Sequence, residues 1–435
     1  MLFDRVGEDE FLRLSKSTSF KSDYRKYFSK VIESPKTFGE EDCPTLFSPI
    51  LFSNDGFEYI KNISNCIFSI FKKASDLYYR IDEIKKLFDF PEEIQNWLNL
   101  DCGYENIIPF SRYDSFWDGQ NLKVFEFNTD GSSGMLGSDL LADYFKETKI
   151  GSDFLDSNKL ISMSLVKKVV DVLIETYRNF SNNKKPNIAI VDFLESGTLD
   201  EFKAVATECK LRGFDAKICD IRKLKFTAKG LYDDSFRIDL IYRRAVTDEM
   251  FLHKSEINDF IKAYQKGAVC VAGPLKSHIA HSKLLFCFLT SKFSEKYFTE
   301  EELVAIKKHL PATFRLLDGA FPLNYVLNEK DKFFIKPHNS YGTKGLYVDG
   351  AATLQKTWKK VIEKLLTEKS KDYIIQEKVV GLTKNLLVGE NSYIEKFNIN
   401  IGPFILGGEL SGFLNRISSN KLITTSSGFL PTFWH

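Results

Sequence analysis

The stretch that most narrows what this chain can become is Arg112 to Gly134, RYDSFWDGQNLKVFEFNTDGSSG. Two strand-like segments flank a polar turn of Asp118, Gly119, Gln120 and Asn121, the pattern of a β-hairpin. Strand side chains alternate faces with a period of two. Arg112 and Asp114 therefore share one face, and Glu126 and Asn128 share one face. Whether these are the same face depends on register. A two-residue Asp118-Gly119 turn pairs Asp114 with Lys123 and leaves Glu126 on the wrong side. A three- or five-residue loop pairs Asp114 with Glu126 and Arg112 with Asn128. We expect the longer loop, because it gathers three oxygen ligands and one guanidinium in one place. That set suits Mg²⁺ and a transferring phosphoryl group.

The 435 residues leave room for two or three domains around this hairpin. Residues 1 to about 105 read as mostly helical, with apolar Ile60, Ile63, Ile67, Ile70 and Phe71 at helical spacing. The Gly/Ser-rich loop after the hairpin leads into a helix expected near Ser138, and backbone N–H groups there can hold an anion. A helix is expected over residues 158 to 180. NIAIVDF, DAKICDI, IDLIYRR and GAVCVAGP then read as buried strands, with a helix between the first two that ends near Gly213. This alternation predicts an open parallel α/β sheet with ligands beyond the carboxyl ends of its strands. Arg243 and Arg244 stand at such an end, where either a ligand contact or a surface ion pair would explain them.

From residue 275 the pattern changes. PLKSHIAHSKLLFCFLTSKF reads as one helix with Lys283 near its middle, and TEEELVAIKKHL as another, with Thr299 and Glu302 at capping-box spacing. KDKFFIKPHNSYGTKGLYV follows, a strand ending at Lys336, a small polar loop, and a second strand. Backbone amides of such a loop can cover phosphates. The loop runs into no helix and lacks GK[ST], so it is not a Walker A loop. DYIIQEKVV is a strand that could meet an adenine edge, and the closing segment holds further strands and Arg416 in the polar run LNRISSN.

Composition removes other classes. Lys plus Arg number 60 against 59 Asp plus Glu, a net charge of +1, which argues against a general nucleic-acid or membrane-surface binder. Seven scattered cysteines without a CxxC pair fit a reducing compartment and neither a disulfide framework nor a zinc site. The 39 Phe residues read as core filler. The N-terminus is acidic rather than signal-like, and the apolar runs are too short to span a bilayer, so a cytoplasmic location is expected.

Taken together, Lys283, Lys336, the glycine loop, the Gln-Glu strand and Arg416 resemble, in that order, the nucleotide-binding part of ATP-grasp enzymes. The metal-binding Glu-x-Asn usually follows these elements, whereas Glu126-Phe127-Asn128 precedes them. That order resembles the circularly permuted ATP-grasp family, similar to the synthetase part of glutathionylspermidine synthetase, and the likeness runs from about residue 105 to the C-terminus. It implies a mixed α/β, circularly permuted ATP-grasp fold with an inserted open parallel α/β pre-ATP-grasp domain. The implied division is a helical region 1–105, a metal-binding hairpin part 106–157, a pre-ATP-grasp domain 158–275, a nucleotide-binding subdomain 276–380 and closing strands 381–435. The implied activity is ATP-dependent carboxylate–amine ligation with release of ADP and phosphate, with small-molecule or peptide acids and amines as substrates. Asp114, Glu126 and Asn128 are implied as Mg²⁺ ligands, and Arg112 and Arg416 as groups that stabilise phosphoryl and acyl-phosphate charge. Lys283 and Lys336 are implied on the nucleotide phosphates, Gly342, Thr343 and Gly345 in the covering loop, and Gln376 and Glu377 at the adenine edge. The chain departs from those enzymes in lacking their amidase domain, in the long Lys283–Lys336 interval, and in its first 105 residues. A small-molecule kinase and a non-catalytic ATP-binding protein are the alternatives to weigh.

Overall fold

The computed structural model describes residues 2–34, 45–182, 185–195, 197–316, 322–339, 348–368, 372–419 and 428–435. Gly342, Thr343 and Gly345 lie outside them.

The hairpin strands are Phe110–Trp117 and Leu122–Asn128. Asp114 faces Glu126 and Arg112 faces Asn128, the expected register, but loop length alone does not set it. The loop is Asp118–Asn121, closed by Asp118 Oδ1, which accepts from the backbone N–H groups of Gln120 and Asn121 at 2.8 and 2.6 Å. Gly119, with φ of 104°, takes the left-handed conformation there. Such a loop alone would set Asp114 against Phe125. A bulge corrects it: Ser115 pairs with Val124 and Asp114 with Glu126, and Phe125 is passed over.

Two strands from far along the chain complete this sheet. Pro403–Leu406 lies antiparallel to Phe110–Arg112, and Glu409–Phe413 lies outside it. Ser111 Oγ donates to Ile405 O, 294 residues away in sequence. Early and late segments thus form one sheet. Its underside packs on the helix Asn54–Arg80, where Phe71 meets Phe127 at 4.5 Å between ring centroids and Tyr113 OH meets Ser64 Oγ at 2.6 Å. That helix buries Ile60, Ile67, Ile70 and Phe71, as its spacing predicts.

The four expected α/β strands form one parallel sheet, in the order Cys270–Ala272, Leu240–Arg243, Ile188–Asp192, Ala216–Asp220. Helices Leu165–Phe180 and Leu199–Leu211 share its core. Between the second and third of these strands in sequence, Lys225–Ile238 forms a three-stranded antiparallel meander absent from the sequence reading. Its strands are short and partly exposed, so they carry no continuous apolar signal.

Three helix boundaries differ from expectation. The helix expected over residues 158 to 180 begins only at Leu165, behind the N-cap Ser164. The helix after the hairpin starts at Met135, not near Ser138, because Gly134 adopts a left-handed conformation (φ 106°) and turns the chain there. The segment holding Lys283 is not one helix: a short helix His278–His281 stops at an extended Ser282, and Leu284–Leu289 begins a second. The break lets the Lys283 backbone N–H donate to His338 O at 3.0 Å, which ties it to the next sheet.

That sheet runs Thr313–Arg315, Tyr373–Glu377, Phe333–Pro337, Val348–Asp349, all antiparallel, over a core with Trp358 and Ile362. Thr299 and Glu302 form the expected capping box on helix Glu300–His309. A last antiparallel sheet comprises Thr383–Val388, Tyr393–Asn400, Arg416–Ser418 and Gly428–Phe429. The N-terminal region is helical, as expected, apart from the strand Ile50–Phe52, which pairs in parallel with Thr432–Trp434. Among the described residues no helix is long and apolar enough to cross a membrane. Cys66, Cys102, Cys209, Cys219, Cys270 and Cys287 are free thiols.

Candidate functional site

The hairpin's polar face opens onto a cleft of about 570 Å³. Arg112, Asp114, Glu126, Asn128 and Arg416 line one side of it. Asp114 is the hub. Its carboxylate lies 3.3 Å from Arg112 Nη2 and 3.0 Å from Arg416 Nη2, and it accepts from Asn128 Nδ2 at 3.1 Å. Arg112 is braced by donating to Ser133 O at 2.7 Å. The strand bearing Arg416 pairs with Tyr393–Asn400, which continues past Ile401 beside the hairpin through reciprocal Ser115–Ile401 backbone bonds of 3.0 and 2.8 Å.

The bulge has a second effect. With Phe125 outside the ladder, its carbonyl meets Lys336 Nζ at 3.4 Å, and its ring stacks on Phe116 at 5.1 Å. Lys336 is the next-to-last residue of its strand Phe333–Pro337 and is buried. Burial, with the Lys283 charge beside it, brings its ammonium down to about 7 against the pull of Glu126 and Asp114. Lys283 Nζ sits 3.0 Å from Glu126 Oε1. Burial alone would raise the Glu126 carboxyl, but Lys283 and Lys336 outweigh it and hold the group ionised. One constellation thus contains six of the predicted residues, Arg112, Asp114, Glu126, Asn128, Lys283 and Arg416, with Lys336 at its edge.

Gln376 and Glu377 are not part of it. Gln376 is buried in its sheet and its amide donates to Thr313 Oγ1 at 3.0 Å. Glu377 is exposed, its backbone N–H bonded to Ala312 O at 2.8 Å. Their strand lies between two others, paired over Ile374–Gln376 on one edge and Tyr373–Glu377 on the other.

The opposite wall comes from the carboxyl ends of the parallel strands. It separates the two candidate arginines. Arg243 is buried and spent on structure, donating to Gly273 O at 2.5 Å and to Ala245 O at 2.6 Å, and pairing with Asp130 at 2.6 Å. Asp130 also pairs with His278 Nδ1 at 3.0 Å and accepts from Thr247 N at 3.0 Å. Arg244 lines the cleft, between the Tyr242 and Phe202 rings, 3.3 Å from Glu201 Oε1. Glu201 Oε2 accepts from Gly134 N at 2.9 Å and Leu136 N at 3.2 Å. The helix N-terminus expected to hold an anion therefore already holds one of the chain's own. Asp192 stands beside it, its carboxyl raised to about 6 chiefly by burial. Asp192 is legible as a strand-end residue, whereas no local signal distinguishes Glu201, which lies in the first turn of an ordinary helix.

The residues present fit a divalent cation. Asp114 Oδ1 is buried without a hydrogen bond, facing only the Arg416 ion pair, and Glu126 stands directly across the ladder. Asn128 turns its donor end to Asp114, which leaves its carbonyl oxygen as the acceptor end. Among the described residues no cluster of three His, Cys, Asp or Glu could hold a metal ion, so a cation here would rest on two carboxylates and an amide. Two carboxylates and an amide, completed by ligand oxygens, suit Mg²⁺.

Residues 222–417 match the circularly permuted ATP-grasp type 2 family. The family resemblance drawn from the sequence is therefore borne out, and the match spans Lys283, Lys336 and Arg416. The hairpin Phe110–Asn128 lies ahead of the permuted ATP-grasp match and is joined to it by the shared sheet. The apo structure of a glutathione synthetase-like effector (GSS30) from Globodera pallida superposes with a TM-score of 0.60 at 15% identity, covering 90% of each chain, a likeness of fold. A putative γ-glutamylcysteine synthetase from Methylobacillus flagellatus KT reaches a TM-score of 0.38 at 11% identity, over 84% of this chain and 85% of that one, too low to argue from. Comparison with curated protein sequences finds no match.

Proposed function

We propose that the protein is an ATP-dependent carboxylate–amine ligase acting through an acyl phosphate. The observation that carries this reading is the hairpin register: Asp114 opposite Glu126, with Arg112, Arg416 and Lys283 on their carboxylates. Those are paired sets of anions and cations that a nucleotide with its cation would separate. Phosphates would take the arginines and lysines, and the cation the carboxylates. When bound, Mg²⁺ supplies charge neutralisation of the phosphates.

Arg112 and Arg416 would hold the γ-phosphoryl oxygens as the substrate carboxylate attacks phosphorus and the bond to ADP breaks. The same guanidiniums would stabilise phosphate as the amine nitrogen attacks the acyl carbon, the carbon–oxygen bond to phosphate breaks, and the amine proton passes to the departing phosphate. Lys283 and Lys336 would hold the remaining phosphates. The cleft wall bearing Asp192, Glu201 and Arg244 would seat the substrates, away from the nucleotide side. We assign residues 158–275 to that substrate-side domain, and 106–157 with 276–435 to the ATP-grasp body.

The test is ADP release with Mg²⁺ and ATP against pooled amino acids, short peptides and polyamines. A condensed product of the summed mass less water is expected in a positive pool. A stable phosphorylated product that forms without any amine would instead favour a kinase.

A further inference from the structure

Buried polar atoms without partners are uncommon, and each costs about 1–3 kcal/mol of desolvation. In this protein such atoms recur around the proposed phosphoryl site: Arg112 Nε and Arg416 Nε are both of this kind. A further residue belongs with them. Asn400 is fully buried, and neither Oδ1 nor Nδ2 has a hydrogen-bond partner. An amide left unsatisfied at both ends is a poor choice for a strand interior, where a leucine of similar size would pack without this penalty.

Its place is fixed by register. Asn400 lies directly opposite Arg416 across the antiparallel ladder, so the two side chains share a face. Arg416 uses that face to reach Asp114 at 3.0 Å. The flanking residues Ile399 and Ile401 point the other way, into the core, as alternation requires. On its other side the Asn400 strand continues into Ile401, bonded to Ser115 of the hairpin, one residue from Asp114.

We infer that Asn400 is a ligand-contacting residue of the nucleotide site, its amide held unsatisfied until a phosphorylated ligand arrives. Nδ2 then donates to an oxygen of the polyphosphate, beside Arg416, and Oδ1 accepts from a hydroxyl or water that enters with the ligand. The inference rests on the ATP-dependent reading above. It adds a residue on a strand separate from those that carry the metal set and the lysines.

The test measures melting temperature and MgATP affinity in wild type, Asn400→Leu and Asn400→Ala. Because the amide is a stability liability in the free protein, Asn400→Leu is expected to melt at or above the wild-type temperature while binding MgATP at least tenfold more weakly. Asn400→Ala is expected to weaken binding similarly, and it reports on affinity if leucine does not fit. Unchanged MgATP affinity in the folded variants, with wild type binding normally, overturns the assignment of Asn400 alone. Wild type that binds no MgATP overturns the nucleotide reading itself.

Discussion

At the scale of single residues, the site is an arrangement of opposed charges, and the consequences of removing one depend on which charge it balances. Arg416 reaches Asp114 from a strand that follows the hairpin by about two thirds of the chain. If it stabilises the transferring phosphoryl group, its effect belongs to the transition state rather than to binding. Arg416→Met is then expected to lower kcat by about 10²–10³-fold with little change in KM for ATP, as for other preorganised charge donors. Steady-state kinetics checks this, and a loss confined to KM would move Arg416 to the ground-state site. Lys336 is different: it stands at the edge, against the Phe125 carbonyl. Lys336→Met is expected to weaken MgATP binding at least tenfold, measured by calorimetry, because the positive charge that would meet the phosphates is lost.

At the scale of elements, the bulge at Phe125 places Glu126 on the working face. Deleting Phe125 alone removes the bulge but leaves Asp114 opposite Glu126, whereas deleting Val124 and Phe125 together sets Ser115 against Glu126 and turns its side chain to the other face. The double deletion is therefore expected to abolish ADP formation, whereas Phe125→Ala, which keeps the bulge, should retain activity within about tenfold, because only ring stacking is lost. Equal activity in the double deletion and Phe125→Ala would show that register does not matter. The clamp of Asp130, Arg243 and His278 joins the hairpin's end to the parallel sheet. Asp130→Ala leaves a buried guanidinium unpaired and is expected to destabilise the fold by about 3–5 kcal/mol in urea unfolding.

The elements also show what a sequence can disclose. The parallel strands were legible because each is a short, continuous apolar run, and the hairpin because its polar residues alternate. The pairing of Asp114 with Glu126 was legible only through its chemical sense. The bulge that achieves it carries no local signature, since Phe125 resembles any other strand residue. The break at Ser282 was hidden because apolar residues continue on both sides, and the halt is imposed from outside by His338 O. The separation of Gln376 and Glu377 from the charged constellation was not legible for a different reason: the strand is as expected, but its neighbours in the sheet are set by distant sequence.

At the scale of the whole molecule, residues far apart in sequence share one sheet, and charged groups from several elements meet in its interior. Buried histidines give this a pH signature. Burial lowers His281 to about 4 and His338 to about 3, the latter aided by the Arg315 charge. Their unfolded values lie near 6.5, so below that pH the unfolded chain binds more protons, and stability falls as pH falls. The expected loss is roughly 2–3 kcal/mol for each at pH 4.5. His278 works the other way. Burial lowers its pKa, but the Asp130 hydrogen bond and the Asp248 charge more than offset this and raise it. Its contribution is present at acid pH and is lost as pH rises through the raised value, so it offsets part of the loss. Unfolding free energy should fall between pH 7 and 4.5, and His338→Gln should flatten the fall. A wild-type profile that is level or rises towards acid would contradict the burial of these rings as neutral groups.

The most direct measurement is ADP formation from ATP and Mg²⁺ by wild type and Glu126→Ala, each against the same pooled acids and amines. The account predicts turnover in wild type with a condensed product, and loss of at least a hundredfold in Glu126→Ala, which remains folded by circular dichroism. Wild-type turnover in Glu126→Ala would contradict it.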